Sequence, residues 1–300
     1  NGRQKDASNY FRQNPHRLHL GTIGFAFDTP ALVTDVDETL DMWTGKVEST
    51  FRYAGHKYHV MTVCDPDNDV IASHIESDST IEVVLRFPYP TGAHSDDACN
   101  WNAEDKHTTE LSVDGVVYFV NVECNKGTRI RKKDAHTVSL TSKKGTLEFY
   151  AGYSGRNPMG FYVSQRPFAD FAMASAGRWR EYWNTGGFID FSNVSDPRAH
   201  ELERRVILSQ YLMGAQEAGI LPPQETGLTY NSWFGKFHLE MVWWHLAHYG
   251  LWNKPDILEN PMKWYFHAAN NAKEIAQRQG FPGVRWMKMT DPAAGEAPSY

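Results

Sequence analysis

The sequence has little cysteine, no long hydrophobic run and little net charge. Its three cysteines, Cys64, Cys99 and Cys124, match no metal-ligand spacing and cannot all pair with one another. We interpret them as structural thiols with room for one disulfide. No apolar stretch approaches the roughly 20 residues that cross a bilayer. The formal net charge of −6 argues against a nucleic-acid partner, because proteins that bind a phosphate backbone concentrate Lys and Arg.

The common catalytic and cofactor signatures are also missing. The chain contains no P-loop, no G-x-G-x-x-G after a strand, no G-x-S-x-G and no H-E-x-x-H. Asp65, Asp67, Asp69 and Glu76 stand at the offsets of a calcium loop, but Val70 occupies the position that requires glycine. A turn between two strands is the better interpretation. The sequence therefore predicts neither a metal nor an organic cofactor.

The first residues are polar and begin with Asn1 rather than Met. The opening segment NGRQKDASNYFRQNPHR has no apolar core of the kind that a signal peptide requires. We therefore expect this chain to be a processed or trimmed product. That expectation favours a periplasmic or extracellular location.

The residues before position 165 alternate between polar and apolar in short runs that predict strands. Turn residues such as Ala54-Gly55 and Asp114-Gly115 separate the runs. Many strands without helices between them predict an antiparallel sandwich or barrel. The predicted strands are Thr22–Phe27, Lys46–Tyr53, His56–Thr62, Val70–Glu76, Ile81–Phe87, Val116–Val122, Thr137–Leu140 and Thr146–Tyr150. A polar insert at 88–106, which contains Trp101, predicts a functional loop.

After residue 165 the spacing of apolar residues becomes helical. Phe168–Tyr182 predicts a linker helix, and Asp196-Pro197 predicts the start of a helix that ends near Gly219. Two more helices are predicted over Lys236–Leu251 and from Asp256 or Glu259 to Gln279. Long consecutive helices joined by loops predict helical hairpins that pack as a bundle or toroid.

The stretch 219–244 joins a polar loop to a strongly aromatic helix. Phe237, Met241, Trp244 and His248 follow one another at steps of three and four. Polar groups thus stand beside tryptophans, and a sugar needs both directed hydrogen bonds and flat apolar faces. The alternative is a buried helix with aromatic core residues and charged caps. His245 and His248 lack an acidic or cysteine partner at ligand spacing, so hydrogen-bonded histidines are favoured over metal ligands.

Four carboxylates lie in this aromatic part of the sequence: Glu225, Glu240, Asp291 and Glu296. Cleavage of a glycosidic bond uses one carboxyl group to protonate the leaving oxygen and a second to activate water or attack the sugar. Aromatic walls raise the pKa of the acid by desolvation. These groups could form such a pair, but binding of sugar hydroxyls is the interpretation that we favour.

The motifs GLTYNSWFGKFHLEMVWW and GVRWMKMTDPAAGE resemble the six-hairpin glycosidases, and most of all glycoside hydrolase family 65. Gly227-Leu228 and Glu240 match the first family pattern, with His238 where the family has an aspartate. Trp286 to Thr290 resembles the second pattern, with Lys288 in place of a tryptophan. Family 95, which contains α-L-fucosidases and galactosidases, is similar too.

The resemblance implies a fold and a domain organisation. Residues 1–165 would form an antiparallel β-supersandwich, 166–196 a linker helix, and 197–300 the first helices of an (α/α)6 six-hairpin barrel. The full barrel has twelve helices, so we expect this chain to be the front part of a longer enzyme. The general acid and the second catalytic group would then lie beyond residue 300.

The resemblance also implies a function and a site. We expect a glycosidase that cleaves an α-glucosidic bond of a small oligosaccharide by inversion, without a cofactor. The open alternatives are a family 95-like fucosidase or galactosidase, an inverting disaccharide phosphorylase and a non-catalytic sugar-binding protein; a homodimer is compatible with either class. The predicted substrate-binding residues are Gln224, Glu225, Asn231, Trp233, Lys236, His238, Glu240, Trp243, Trp286, Lys288 and Asp291.

Overall fold

A computed structural model describes most of the chain. The described residues are 2–13, 20–87, 99–100, 108–113, 116–143, 145–156, 166–228 and 236–295. The predictions for Trp101, Asn231, Trp233 and Glu296 lie outside them. The chain divides into two compact units, a sandwich unit of residues 19–183 and a helical unit made of 1–18 with 184–300. The three-part division at residues 165 and 196 stays a prediction.

The sandwich unit consists mainly of strands, as predicted. All eight predicted strands are present, most with boundaries that differ by a few residues. The strands are β1 (Thr22–Phe25), β2 (Val33–Asp41), β3 (Lys46–Tyr53), β4 (His56–Cys64), β5 (Val70–Ser77), β6 (Ile81–Arg86), β7 (Cys99–Asn100), β8 (Thr108–Val113), β9 (Val116–Cys124), β10 (Arg129–Asp134), β11 (Thr137–Ser142) and β12 (Thr146–Ser154).

These strands form two antiparallel sheets. The larger has the order β2-β3-β4-β5-β12-β9-β8-β7 and the smaller β1-β6-β11-β10. Aromatic rings join the two sheets: the ring of Phe25 in β1 lies 5.4 Å from that of Phe51 in β3 and 5.5 Å from that of Tyr58 in β4. The antiparallel, strand-rich class that the sequence predicts is therefore confirmed.

A helix covers the other face of the larger sheet. This helix, α2 (Phe168–Asn184), buries Phe168 and Phe171 against Ala72 and Tyr150 of β5 and β12. Ser175 Oγ donates to the Thr44 carbonyl oxygen at 2.8 Å, so the helix is also fixed by hydrogen bonding to the β2–β3 turn. Because β5 has apolar neighbours on both faces, most of its residues are buried or partly buried.

The segment between β4 and β5 is a turn, as the sequence predicts, and hydrogen bonds to Asp65 close it. Asp65 Oδ1 accepts hydrogen bonds from the backbone N–H groups of Asp67 and Asn68 at 3.0 and 3.1 Å. Its second oxygen accepts from Arg166 at 2.9 Å. Burial raises the pKa of Asp65, but these hydrogen bonds outweigh it and lower the pKa overall. Asp65 is thus committed to the turn.

The helical unit contains helices and one short strand pair. Its elements are α1 (Gly2–Gln13), α3 (Ala199–Gln216), β13 (Phe237–His238), α4 (Val242–Leu251), α5 (Pro255–Arg278) and β14 (Met289–Thr290). The helices α3, α4 and α5 were predicted from spacing and caps, whereas α1 was not. Within the described ranges, no helix is long and apolar enough to cross a membrane.

The predicted helix over Lys236–Leu251 is wrong in its first part. Phe237–His238 is a strand, a 3-10 turn follows over Leu239–Met241, and the α-helix begins only at Val242. The cause is long-range hydrogen bonding: His238 N donates to the Pro223 carbonyl oxygen at 3.1 Å and Leu239 N to that of Lys288 at 2.8 Å. Pairing with β14 holds Phe237 and His238 in an extended conformation, so they do not adopt the backbone angles of a first helical turn.

Candidate functional site

Three distant stretches of the sequence meet at the β13–β14 pair. Phe237 pairs with Thr290 and His238 with Met289 in antiparallel register. The hydrogen bond from His238 N to Pro223 brings in the loop that precedes Gln224. The residues predicted around 224, 236–240 and 286–291 are therefore brought together, as a single site requires.

An exposed ion pair marks the accessible side of this site. Lys288 Nζ lies 2.6 Å from Glu240 Oε2, and the two side chains are 42% and 54% exposed. The hydrogen bond from Lys288 lowers the pKa of Glu240, which therefore stays ionised at neutral pH. An exposed ion pair contributes little free energy, so Lys288 and Glu240 can each form a hydrogen bond to a ligand hydroxyl in place of their contact with each other.

Two titratable residues of the same stretch are buried. Lys236 and His238 each expose only 2% of their surface. Burial lowers the pKa of both, while the negative charge of Asp291 acts in the opposite direction on Lys236 and that of Glu225 does so on His238. Titratable groups with a perturbed pKa are more frequent at functional sites than elsewhere.

Asp291 has a partly structural role. One carboxylate oxygen accepts from the backbone N–H of Gly295 at 2.8 Å, and Thr290 Oγ1 donates to the Gly295 carbonyl oxygen at 2.8 Å. Ala294, at the centre of this turn, has a positive φ of 64°. One oxygen of Asp291 thus holds the turn after β14, and its negative charge faces Lys236.

The tryptophans predicted for the site have different environments. Trp286 is partly buried, and its ring meets that of Tyr265 edge-on at 5.4 Å beside the buried Phe237 and Trp264. Its Nε1 has no hydrogen-bond partner among the described residues. Trp243 is 71% exposed, and within the described ranges its ring has neither a hydrogen bond nor a ring contact. Of the two predicted site tryptophans that the structure describes, Trp286 is therefore the one packed beside Phe237 of the site.

The loop before the site is held by side chains and backbone together. Gln224 exposes 2% of its surface, and its side-chain amide donates to the Gly227 carbonyl oxygen. The Glu225 carbonyl oxygen lies 3.1 Å from His245 Nε2. His248 Nε2 lies 2.9 Å from the His245 carbonyl oxygen, so both histidines of α4 are hydrogen-bonded, as favoured from the sequence.

The site also includes Glu217, which the sequence analysis missed. This carboxylate ends α3, is 4% exposed and lies 3.9 Å from His245 Nε2 through its Oε1. Its neighbour Gly227 follows ten residues later, and no motif or spacing connects the two positions. Only the tertiary structure reveals the contact.

Fold and site together define a two-part protein: an antiparallel β-sandwich domain followed by helices that carry a charged, tryptophan-lined cluster. The sequence profile "Glycosyl hydrolase family 65, N-terminal domain" matches residues 2–152. The chain therefore belongs to glycosyl hydrolase family 65. No curated protein matches the chain.

Solved structures support the fold. One of them, described as "Putative kojibiose phosphorylase from human microbiome", aligns with a TM-score of 0.68 at 15% identity, over 94% of this chain and 43% of that protein. A bacterial glucoamylase complexed with acarbose aligns with a TM-score of 0.51 at 8% identity, over 87% and 44% of the two chains. At these identities the likeness concerns the fold alone. The chain spans less than half the length of each.

Proposed function

We propose that this chain is part of a carbohydrate-active enzyme that hydrolyses an α-glucosidic bond in a small gluco-oligosaccharide such as kojibiose, trehalose or maltose. Membership of family 65 supports a glycosidase or phosphorylase. One observation carries the site assignment: two segments that are distant in the sequence converge on the exposed Lys288–Glu240 pair, beside buried Lys236 and His238.

The proposed role of these residues is binding. Lys236, His238, Glu240, Lys288 and Asp291 would form hydrogen bonds to the hydroxyls of the first sugar ring. Charge-assisted hydrogen bonds are shorter and stronger than neutral ones, so a few of them orient a ring firmly. Trp233, Trp243 and Trp286 would wall the sugar ring or stack on it. The rim would contain Gln224, Glu225 and Asn231.

We propose that the catalytic carboxylates lie outside residues 1–300. An inverting glycosidase needs a general acid and a base that are far enough apart to admit a water molecule. Glu240 is held ionised by Lys288, so it is poorly suited to donate a proton. It is better suited to binding.

We also propose that α3, α4 and α5 begin an (α/α)6 barrel. Large apolar side chains on α4 and α5 are exposed, including Trp244 at 68%, Leu251 at 86% and Phe266 at 83%. Contiguous apolar surface on helices usually packs against further elements. Additional helices of the barrel would cover these side chains.

The test is an assay of the full-length protein on α-linked diglucosides, with and without inorganic phosphate. Free glucose as the sole monosaccharide product, at a rate independent of phosphate, is the expected result. Glucose 1-phosphate that forms only with phosphate would favour a phosphorylase, the class to which the first similar structure is ascribed. An α-L-fucoside in the same panel tests the family 95-like alternative. No turnover of any substrate would contradict the enzyme assignment.

Location follows from the same proposal but is tested separately. We propose export to the periplasm or the exterior, which suits an enzyme that acts on oligosaccharides outside the cytoplasm. Fractionation of the source cells, with the protein detected by an antibody, would decide it. Recovery with cytoplasmic markers alone would contradict export.

A further inference from the structure

A buried carboxylate and a buried imidazole lie side by side behind the candidate site. Glu217 and His245 expose 4% and 5% of their surfaces, and His245 Nε2 is 3.9 Å from Glu217 Oε1. Glu217 is anchored at the end of α3, where its N–H donates to the Met213 carbonyl oxygen at 2.8 Å. Burial of two ionisable groups is costly unless neighbouring groups compensate it. Such a pair calls for a reason.

His245 holds one side of the loop that leads into the site. Its Nε2 lies 3.1 Å from the Glu225 carbonyl oxygen. Because a carbonyl oxygen only accepts, Nε2 must carry a proton and donate it. Burial lowers the pKa of His245, so the imidazole is neutral at neutral pH and has a single N–H. That one N–H is used to fix the Glu225 backbone.

Glu217 supports the other side of the same loop. Gly227 has a φ of +59°, and a Cβ added there would lie 2.6 Å from Glu217 Oε1. The side-chain amide of Gln224 donates to the Gly227 carbonyl oxygen and closes the turn. The turn over residues 224–227 is therefore held at Glu225 by the hydrogen bond with His245, and Glu217 lies directly against the Gly227 backbone on its other side.

We propose that Glu217 and His245 are positioning residues, which fix the turn over 224–227 and so aim the Glu225 side chain at the sugar. This inference rests on the proposed function, because Glu225 belongs to the rim of the proposed sugar site. Neither residue touches substrate. Each acts through the backbone of the turn.

The proposal makes a specific kinetic prediction. A loosened turn weakens ground-state and transition-state binding alike, so KM rises while kcat stays nearly constant. A side chain with a donor at the position of Nε2 should preserve the turn, and a shorter one should not. Glutamine places its amide nitrogen near the imidazole Nε2, whereas asparagine reaches only the Nδ1 position. His245→Gln and His245→Asn therefore form a matched pair.

The experiment is steady-state kinetics of the full-length protein on the diglucoside that the wild type cleaves best. We expect His245→Gln to keep KM within about twofold, and His245→Asn and Glu217→Ala to raise KM about tenfold with kcat within about twofold. His267→Ala is the control, because His267 is an exposed residue of α5. Circular dichroism and thermal unfolding check that each variant is folded.

Three results would overturn the proposal. His245→Asn with the same KM as His245→Gln would show that the hydrogen bond to Glu225 does not position the site. A fall in kcat at constant KM would indicate a catalytic rather than a positioning role. If the His245 variants do not fold, Gly227→Ala disturbs the turn from the Glu217 side, and an unchanged KM in that variant would contradict the inference. A wild type without any turnover would instead refute the proposed function, and this inference with it.

Discussion

The two units of this chain hold their charged side chains in opposite ways. On the larger sheet of the sandwich unit, histidines alternate with carboxylates across four strands at distances between 2.5 and 3.6 Å. We call this set the charged ladder. Its members, in spatial order, are Lys46, Glu48, His59, Glu76, His74 and Glu148. In the candidate site of the helical unit, by contrast, Lys236 and His238 are buried near the exposed Lys288–Glu240 ion pair.

The pKa shifts of the two sets reflect this difference. In the ladder, hydrogen bonds from Lys46 and His59 lower the pKa of Glu48 and so favour its charged form. In the candidate site, burial lowers the pKa of Lys236 and of His238 and so opposes their charged forms. A charged group that is stabilised by its partners, such as Glu48, contributes to the stability of the fold. A group whose charged form is destabilised by burial, such as Lys236, lowers that stability, and a bound ligand can offset the loss. Groups of the second kind are therefore frequent in binding sites.

The largest expected effect on stability is in the sandwich unit, at Arg166. Its guanidinium is 2.9 Å from Asp65, whose side chain is only 2% exposed. Arg166→Ala would leave a buried carboxylate without its cation, at a cost of about 2 kcal/mol, since Arg166 itself is one-third exposed. Urea denaturation measures this free energy of unfolding. Asp65→Asn together with Arg166→Ala should recover part of the loss; a double variant that adds the two losses would argue against a coupled pair.

The next effect concerns activity and is confined to the helical unit. Glu240→Ala and Lys288→Ala, each in the full-length enzyme, should lower kcat/KM by about ten- to hundredfold, because each removes a charged hydrogen bond to substrate. Stability should change little, since both groups are exposed. Glu201→Ala on the exposed face of α3 is the control for loss of a surface carboxylate. Unchanged kcat/KM in both site variants would refute the site.

A smaller effect is expected from one member of the charged ladder. His74 contacts Glu148 at 2.7 Å and Glu76 at 3.3 Å, and its side chain is 16% exposed. His74→Ala removes the imidazole donor from Glu148 and leaves Glu76 with His59 alone, so it should cost about 1.5 kcal/mol of unfolding free energy. Activity should stay at the wild-type level, as measured with the same diglucoside. If the variant lost activity while its free energy of unfolding stayed unchanged, the charged ladder would have a role in binding or catalysis, and the contrast with the candidate site would be wrong.

Much of the sandwich unit could be predicted, and two of the strands that were missed, β2 and β10, have a common cause. Alternation located β3 at its observed bounds, Lys46–Tyr53. By contrast, β2, with the sequence VTDVDETLD, is rich in acidic residues and mostly exposed, so neither propensity nor alternation indicates a strand. It becomes one because it pairs with β3 along almost its whole length. The charged edge strand β10, RIRKKD, was missed for the same reason. Edge strands with charged side chains discourage intermolecular pairing and look like loops in the sequence.

The candidate site was predicted in its composition but not in its geometry. Motif resemblance selected Glu240 and Lys288, which are 48 positions apart in the sequence and 2.6 Å apart in space. The helical spacing that suggested one aromatic face failed at Phe237, because β14 competes for its backbone. Trp243 is exposed, and its role as a substrate-binding residue stays a prediction. Glu217 could not be identified from the sequence, because its proximity to Gly227 depends on how the end of α3 packs against the turn over residues 224–227.

Acidification gives the smallest expected effect and separates the two units most directly. In the folded protein the pKa of Glu48 and of Glu76 lies below the ordinary value of 4.5. The stability that these two carboxylates contribute is therefore fully present above pH 4.5 and is lost only as the pH falls below that value. The folded pKa of His238 and of His245 lies below the ordinary 6.5, so the unfolded chain binds protons first and the helical unit loses stability as the pH falls below 6.5.

Between these two pH values, therefore, the helical unit should weaken while the contribution of the ladder carboxylates persists. Peptide-resolved hydrogen exchange at about pH 7.5 and about pH 5.5, corrected for intrinsic exchange rates, measures both units in one sample. Peptides from 236–251 should lose protection and those from 46–64 should keep it. His238→Gln, His245→Gln and His248→Gln together remove the three histidines of this segment whose pKa burial lowers, and should abolish the difference. Equal loss in both units, or a loss that persists in the triple variant, would mean that these histidines do not carry the pH dependence, because glutamine has no proton to gain.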